Sequence, residues 1–214
     1  MDRELLVVDD VAEEAIGIFL ASEPRTVLLS GGRTPEDFYG RLAEVEYPWD
    51  QVEFFFGDER CVPPDDDLSN ARMANEAFLS RVPARSYPIH GGSCDAEGYE
   101  RALRRRFGDA LRFDLAIYGL GQDGHTASLF PKRPEVDIAD RWVVRVPEAG
   151  LEPFVPRVSL TVPALSAARL GMFLVVGADK RDPLRRLLAG DDIPAARLMP
   201  ERLAILADPA AAPG

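Results

Sequence analysis

Three short, almost continuously apolar runs constrain the fold of this chain more than any other feature. Val27-Leu28-Leu29, residues 113–118 and residues 172–176 each run straight into a glycine-containing turn, at Ser30-Gly31-Gly32, Gly119 and Gly177. A strand that is apolar at nearly every position has both faces buried, the pattern of a parallel sheet layered between helices. Other strands are predicted over 5–8, 52–56, 142–146 and 203–206. Between them, apolar residues recur at helical spacing, as at Val11, Ala15, Ile16, Phe19 and Leu20. Helices are predicted over 69–80, 96–107 and 182–188, and one more beginning at Pro35 with Thr34 as its N-cap. The alternation makes this an α/β fold with a mostly parallel sheet and helices on both faces. In such folds ligands sit at the carboxyl ends of the strands, where the glycine turns fall. The 214 residues, 46% of them hydrophobic, suit one core. No repeat or composition break divides residues 1–214, so a single domain is expected, with a frayed tail from Asp208.

The net charge of -11 repels nucleic acid and anionic membrane surfaces and argues against both as partners. It would repel a phosphorylated metabolite too, so a phosphate ester could bind only at a locally positive site. Two cysteines, Cys61 and Cys94, and two histidines, His90 and His125, are too few for a disulfide framework or a structural zinc site. The expectation is a reduced protein with no metal site. No apolar run reaches membrane-span length, and the first residues lack a signal-peptide core, so the expected location is cytoplasmic, with no obligate protein partner evident.

Four segments carry candidate chemistry. Ser30-Gly31-Gly32-Arg33-Thr34-Pro35 joins a strand to a helix start. It reads either as an anion cradle, with close backbone approach and free helix N–H groups, or as an ordinary tight turn. It is neither a Walker loop nor a dinucleotide fingerprint. Gly57-Asp58-Glu59-Arg60 places three charges after three phenylalanines at a strand end. The carboxylates there suit sugar hydroxyls or basic neighbours, and the Arg60 fork suits phosphate. Gly119-Leu120-Gly121-Gln122-Asp123-Gly124-His125-Thr126-Ala127-Ser128-Leu129-Phe130-Pro131 holds a histidine among three glycines with a carboxylate two residues earlier. Such an imidazole is approachable, and histidine suits proton transfer near neutrality. His90 lacks a strand leading into it and reads as structural or exposed. Arg157 after a proline loop, and Lys180 after a strand and turn, are the remaining candidate cations.

Together these segments resemble one family, the 6-phosphogluconolactonases. The shared motifs are Ser-Gly-Gly-x-Thr-Pro at 30–35, Gly-Asp-Glu-Arg at 57–60, the Asp-Gly-His-Thr-Ala-Ser-Leu-Phe-Pro run within 119–131, Pro-Arg-x-Ser-Leu-Thr at 156–161 and Gly-x-x-Lys at 177–180. Val62-Pro63-Pro64 and Ser69-Asn70 match as well, and the likeness extends from about residue 5 to 207. The resemblance implies a Rossmann-like fold shared with glucosamine-6-phosphate deaminases and ribose-5-phosphate isomerases. It also implies hydrolysis of 6-phospho-D-glucono-1,5-lactone in the pentose phosphate pathway, with no cofactor, metal or nucleotide. By motif, His125 would be the base and Asp123 its neighbour. Asp58 would join the substrate site. Arg60, Arg157 and Lys180, with the turn Gly31, Gly32, Arg33 and Thr34, would hold phosphate. Two positions depart from the family: Arg33 stands where Ser or Thr is usual, and the last strand lacks a Trp.

Two rivals are weighed against this. A glucosamine-6-phosphate deaminase would carry Tyr in place of Arg60 and a glutamate near Phe130; this chain has neither. A non-catalytic sugar-phosphate sensor would normally carry a DNA-binding module, which an acidic chain opening almost on its first strand is not expected to have.

Overall fold

The computed structural model describes residues 2–213. In chain order the elements are β1 (Asp2–Val7), α1 (Val11–Ser22), β2 (Thr26–Leu29), α2 (Arg33–Leu42), β3 (Glu53–Phe56), β4 (Asp58–Arg60), α3 (Asn70–Ala77), β5 (Arg85–Tyr87), α4 (Ala96–Phe107), β6 (Phe113–Tyr118), β7 (Val143–Val146), β8 (Arg157–Leu160), α5 (Val162–Ser166), β9 (Ala168–Val175), α6 (Arg181–Ala189) and β10 (Arg202–Ala207). Seven strands form one sheet in the order β1-β10-β9-β6-β2-β3-β5, and every neighbouring pair is parallel. Successive residues Val27, Leu28 and Leu29 of β2, and Phe54, Phe55 and Phe56 of β3, are all buried. Burial at consecutive positions means that both faces of the sheet are covered. Each buried Phe or Leu contributes about 1.5–3 kcal/mol relative to exposure, so these central strands are the anchor of the fold.

The strand order reverses between β2 and β6: the chain builds outward through β3 and β5 on one side, and through β9 and β10 on the other. A crevice opens at such a reversal, outside the carboxyl ends of the strands. The register of β2 on β6, Val27 opposite Leu115 and Leu28 opposite Ala116, is pinned by Asp114. Its carboxylate accepts from Arg25 N–H, Thr26 N–H and the Thr26 hydroxyl at 3.0–3.1 Å. Burial opposes ionisation of Asp114, but these donors outweigh it and hold its carboxyl below the ordinary range.

The turn after β2 is held from beneath. The buried Tyr39 hydroxyl accepts from Ser30 N–H at 3.0 Å and donates to Ser30 C=O at 2.9 Å. Tyr39→Phe leaves both backbone groups buried without their partner, which costs about 1–3 kcal/mol. Denaturant unfolding of that variant is therefore expected to show a lowered midpoint with an unchanged slope; an unchanged midpoint would mean that the turn is held by something else.

Four expectations from the sequence are corrected. Helix α2 begins at Arg33, with Gly32 (φ 108°) as its N-cap and no side-chain cap, so Thr34 is not the cap. Asp58-Glu59-Arg60, expected as a charge cluster at a strand end, and the strand expected over 142–146 belong with β8 to a separate antiparallel sheet ordered β4-β8-β7, which a single mostly parallel sheet did not anticipate. Cys61 and Cys94 are joined in a disulfide, with their Cα atoms 5.0 Å apart. One bridge needs only one matched pair, and it ties the end of β4 to the turn after Ile89. The segment after Asp208 is packed through Ala211, which is fully buried and donates its N–H to the Asp208 carboxylate at 2.8 Å.

Candidate active site

The crevice predicted by the strand reversal is a cavity of about 350 Å³, within the size range of small-molecule sites. Its floor is the pair of turns after β2 and β6. They lie so close that a side chain on Gly119 would touch Gly31 C=O, at 3.9 Å. One wall is β4 and the start of α3, which bring Asp58, Arg60 and Asn70; the other comes from the turn after β9, which brings Lys180. Arg157 of β8 and the preceding loop, through Leu151 and Glu152, close the mouth.

His125 faces this cavity. Its loop is folded by short-range backbone bonds: Gly121 N–H donates to His125 C=O at 2.8 Å, and Gly124 N–H to Gly121 C=O at 3.0 Å. Gly124 adopts φ 91°, a left-handed geometry that glycine takes without strain. Gly121 is required for a different reason. A Cβ built there would fall on the imidazole ring of His125. The Asp123 carboxylate accepts from His125 N–H at 3.0 Å and lies 2.6 Å from its Nδ1. Burial disfavours the charged form of Asp123, but its hydrogen bonds and charge interaction with His125 prevail and lower its pKa. A carboxylate accepts only, so the hydrogen of this contact lies on Nδ1, and Nε2 is the ring nitrogen that Asp123 does not engage. Arg186 fixes the same loop from behind, donating to Asp123 C=O at 3.1 Å. The Phe130 ring packs on the imidazole at 4.8 Å between centroids, and the Arg157 guanidinium lies 5.9 Å from the centre of that ring.

Asp58 and Glu59 have separate tasks. Glu59 is buried and turns away from the cavity: its carboxylate accepts from Arg60 N–H, the Ser69 hydroxyl, Asn70 N–H and Ala71 N–H at 2.7–3.0 Å. It thereby caps α3 and fixes Asn70. Burial raises the Glu59 pKa, and those backbone donors oppose the rise. Asp58 accepts from the Ser128 hydroxyl at 2.5 Å and from the Asn70 amide at 3.3 Å, linking β4 to the histidine loop.

Three cations, Arg60, Arg157 and Lys180, line the cavity against two carboxylates, Asp58 and Glu152, so the site has a cationic excess in an acidic chain. Arg60 donates to Leu68 C=O at 2.7 Å. Arg157 is 5% exposed and donates to Pro153 C=O at 2.9 Å, which pins the loop over the mouth. The turn bearing Lys180 is set by Asp208, whose carboxylate accepts from Gly177 N–H at 3.0 Å. Lys180 itself lies 3.7 Å from Asp179.

Of the residues singled out in the sequence, Gly31, Gly32, Asp58, Arg60, His125, Arg157 and Lys180 converge on the cavity. Asp123 stands behind His125. Arg33, the first helical residue of α2, is exposed, and Thr34 is half-buried; neither forms part of the wall. His90 is exposed and away from it. Sequence reasoning missed Asn70, Gln122, Arg186 and Asp208 as parts of the site. Gln122 lay within the histidine segment, and Asn70 just after the polar loop in the matched Ser69-Asn70 pair; Arg186 and Asp208 carried no signal. Among the described residues, no three His, Cys, Asp or Glu side chains are grouped as a metal ion needs, and no helix is long and apolar enough to cross a membrane.

Residues 6–206 match the family model described as glucosamine-6-phosphate isomerases/6-phosphogluconolactonase. The 6-phosphogluconolactonase of Thermotoga maritima is 40% identical over 175 residues, covering 79% of this chain and 77% of the relative. That of Synechocystis sp. is 39% identical over 180 residues, covering 79% and 73%. A crystal structure of 6-phosphogluconolactonase from Thermotoga maritima superposes with a TM-score of 0.89 at 31% identity, covering 97% of this chain and all of the other. A monomeric glucosamine-6-phosphate deaminase, 19% identical, shares the fold with a TM-score of 0.83.

Proposed function

Because this chain belongs to the family of glucosamine-6-phosphate isomerases and 6-phosphogluconolactonases, we propose that it opens 6-phospho-D-glucono-1,5-lactone with water, with His125 as the general base. The observation that carries this reading is the His125–Asp123 pair, 2.6 Å apart, at the edge of a cavity with a cationic excess. A lactone carbonyl is already electrophilic, so the reaction needs water delivered, the oxyanion met and the ring oxygen protonated. His125 Nε2 takes a proton as the water oxygen bonds to C1. The C1–ring oxygen bond then breaks, and the same proton passes to the departing oxygen. Asp123 holds the ring orientation and stabilises the imidazolium between the two transfers. No nucleophilic serine is required, and the chain has no Gly-x-Ser-x-Gly elbow.

The phosphate sits at the Gly31-Gly32 turn and the uncapped start of α2, with Arg60, Arg157 and Lys180 around it. Free N–H groups and the positive helix end favour an anion there. Binding this remote group orients C1 against His125. Deaminases carry a glutamate near the position of Phe130; here Phe130 packs on the imidazole in its place.

The substrate class is tested by comparing 6-phosphogluconolactone with the unphosphorylated lactone, each corrected for spontaneous hydrolysis. A strong preference for the phosphorylated compound is expected, with inorganic phosphate competing. Equal rates for the two would remove the phosphate from the account. A charge-assisted contact contributes about 1.5–3 kcal/mol, so Lys180→Ala is expected to raise KM about tenfold to a hundredfold with a smaller change in kcat. A fall in kcat at unchanged KM would place Lys180 at the reacting carbon instead.

A further inference from the structure

Six buried side-chain polar atoms lack a hydrogen-bond partner among the described residues, and three of them, Ser30 Oγ, Arg60 Nε and Asn70 Oδ1, belong to residues of the cavity wall. Buried polar groups are nearly always paired, so a cluster of unpaired ones in one cavity marks where a ligand supplies the missing partners. Asn70 is the most informative of the three. It is 2% exposed, its backbone N–H is held by Glu59, and its amide nitrogen donates to Asp58 C=O at 3.0 Å and to Asp58 Oδ1 at 3.3 Å. Both of those partners are acceptors. Turning the amide over would set oxygen against oxygen, so the orientation is fixed. Oδ1 therefore points the other way, over Gly31, where the absent side chain leaves it room: a Cβ on Gly31 would fall on it.

Oδ1 only accepts. On a sugar-phosphate lactone the carbonyl oxygen, the ring oxygen and the oxygens of a phosphate dianion are acceptors as well. The donors are the hydroxyls at C2, C3 and C4. We infer that Asn70 is a specificity-determining residue whose Oδ1 accepts a hydrogen bond from one secondary hydroxyl of the substrate. The inference rests on the lactone reading above and goes beyond it, because it assigns the sugar chain a recognition contact distinct from the phosphate and the base. A site built around a hydroxyl rejects an analogue lacking it, because the buried acceptor is then left unpaired.

The test is a double-deletion cycle. The 2-, 3- and 4-deoxy forms of 6-phosphogluconolactone are compared with the parent lactone, using wild type, Asn70→Ala and Asn70→Ser, each checked for folding by thermal unfolding. In wild type, one deoxy position is expected to lower kcat/KM by about fivefold to a hundredfold. In Asn70→Ala the same deoxy compound and the parent should differ by less than about twofold, because the acceptor is already gone. General damage from losing the Asp58 contacts cancels in this ratio. Asn70→Ser, whose shorter side chain does not reach the position of Oδ1, should lose the discrimination as the alanine variant does, which covers the case in which the alanine variant does not fold. Equal kcat/KM for the parent and all three deoxy lactones in wild type would overturn the inference, as would discrimination that is unchanged in Asn70→Ala or Asn70→Ser. If wild type fails to accelerate even the parent lactone, the lactonase reading itself falls; if it does accelerate the parent and only the discrimination fails, the assignment of Asn70 alone falls.

Discussion

Replacing His125 with Ala is expected to lower kcat on 6-phosphogluconolactone by about 10²–10⁴-fold, the usual contribution of one positioned general acid–base group. That is about 3–5 kcal/mol of barrier. The imidazole makes its one side-chain hydrogen bond to Asp123 and is partly exposed at the cavity edge, so its removal leaves the sheet and the cationic wall intact. Affinity for 6-phosphogluconate should consequently stay within a few-fold of wild type, read by calorimetric titration. A large loss of kcat with retained product binding is the expected pair of results. Near-full activity in the variant would sink the role of His125, even if lactone hydrolysis itself survived.

Gly121→Ala is expected to have an effect of the same order, although it removes nothing. Gly121 is not among the glycines with positive φ, so alanine meets no backbone strain there. The added methyl would occupy the space of the imidazole. The ring is the softer party, held by one hydrogen bond and a face on Phe130, and it must swing away from Asp123. Under the role proposed for His125, displacing the imidazole should lower kcat by at least about 10²-fold, with the thermal midpoint little changed. By contrast, Gly124 has φ 91° and its Cβ would meet Ile193 at 2.8 Å, so a change there destabilises the loop itself. Wild-type kcat in Gly121→Ala would show that the imidazole works from another position.

Much of the fold was legible because buried parallel strands announce themselves. The run 113–118 coincides with β6, and β2 and β3 follow the apolar residues to within a residue or two. The second sheet was not legible. β4 consists of Asp58, Glu59 and Arg60, three charged residues that no hydrophobic pattern marks as a strand. Their burial becomes tolerable only when Ser69, Asn70, Ala71 and Ser128 arrive from elsewhere to satisfy them. The Cys61–Cys94 bridge was hidden for a similar reason: its partners are 33 residues apart and meet only in the folded chain.

In the candidate site, His125 and Asp123 were visible because their contact is local, two residues apart. Arg33 misled because a basic residue in a glycine turn reads as a ligand, whereas the helix start turns it to solvent. Asn70 was marked only by the matched Ser69-Asn70 pair, since its role depends on Gly31 and Asp58 standing beside it. The cationic excess was anticipated as a requirement, and Arg60, Arg157 and Lys180 meet it with one fewer charge than the sequence suggested.

Each role proposed for the residues of this cavity rests on its hydrolysing a sugar-phosphate lactone. The most direct measurement generates 6-phosphogluconolactone in place and follows its disappearance with and without the enzyme, over the spontaneous background. A loss rate above background and proportional to enzyme concentration is the predicted result. Loss at the spontaneous rate, in the presence of protein shown by its cooperative unfolding to be folded, would mean that the cavity does not catalyse this hydrolysis.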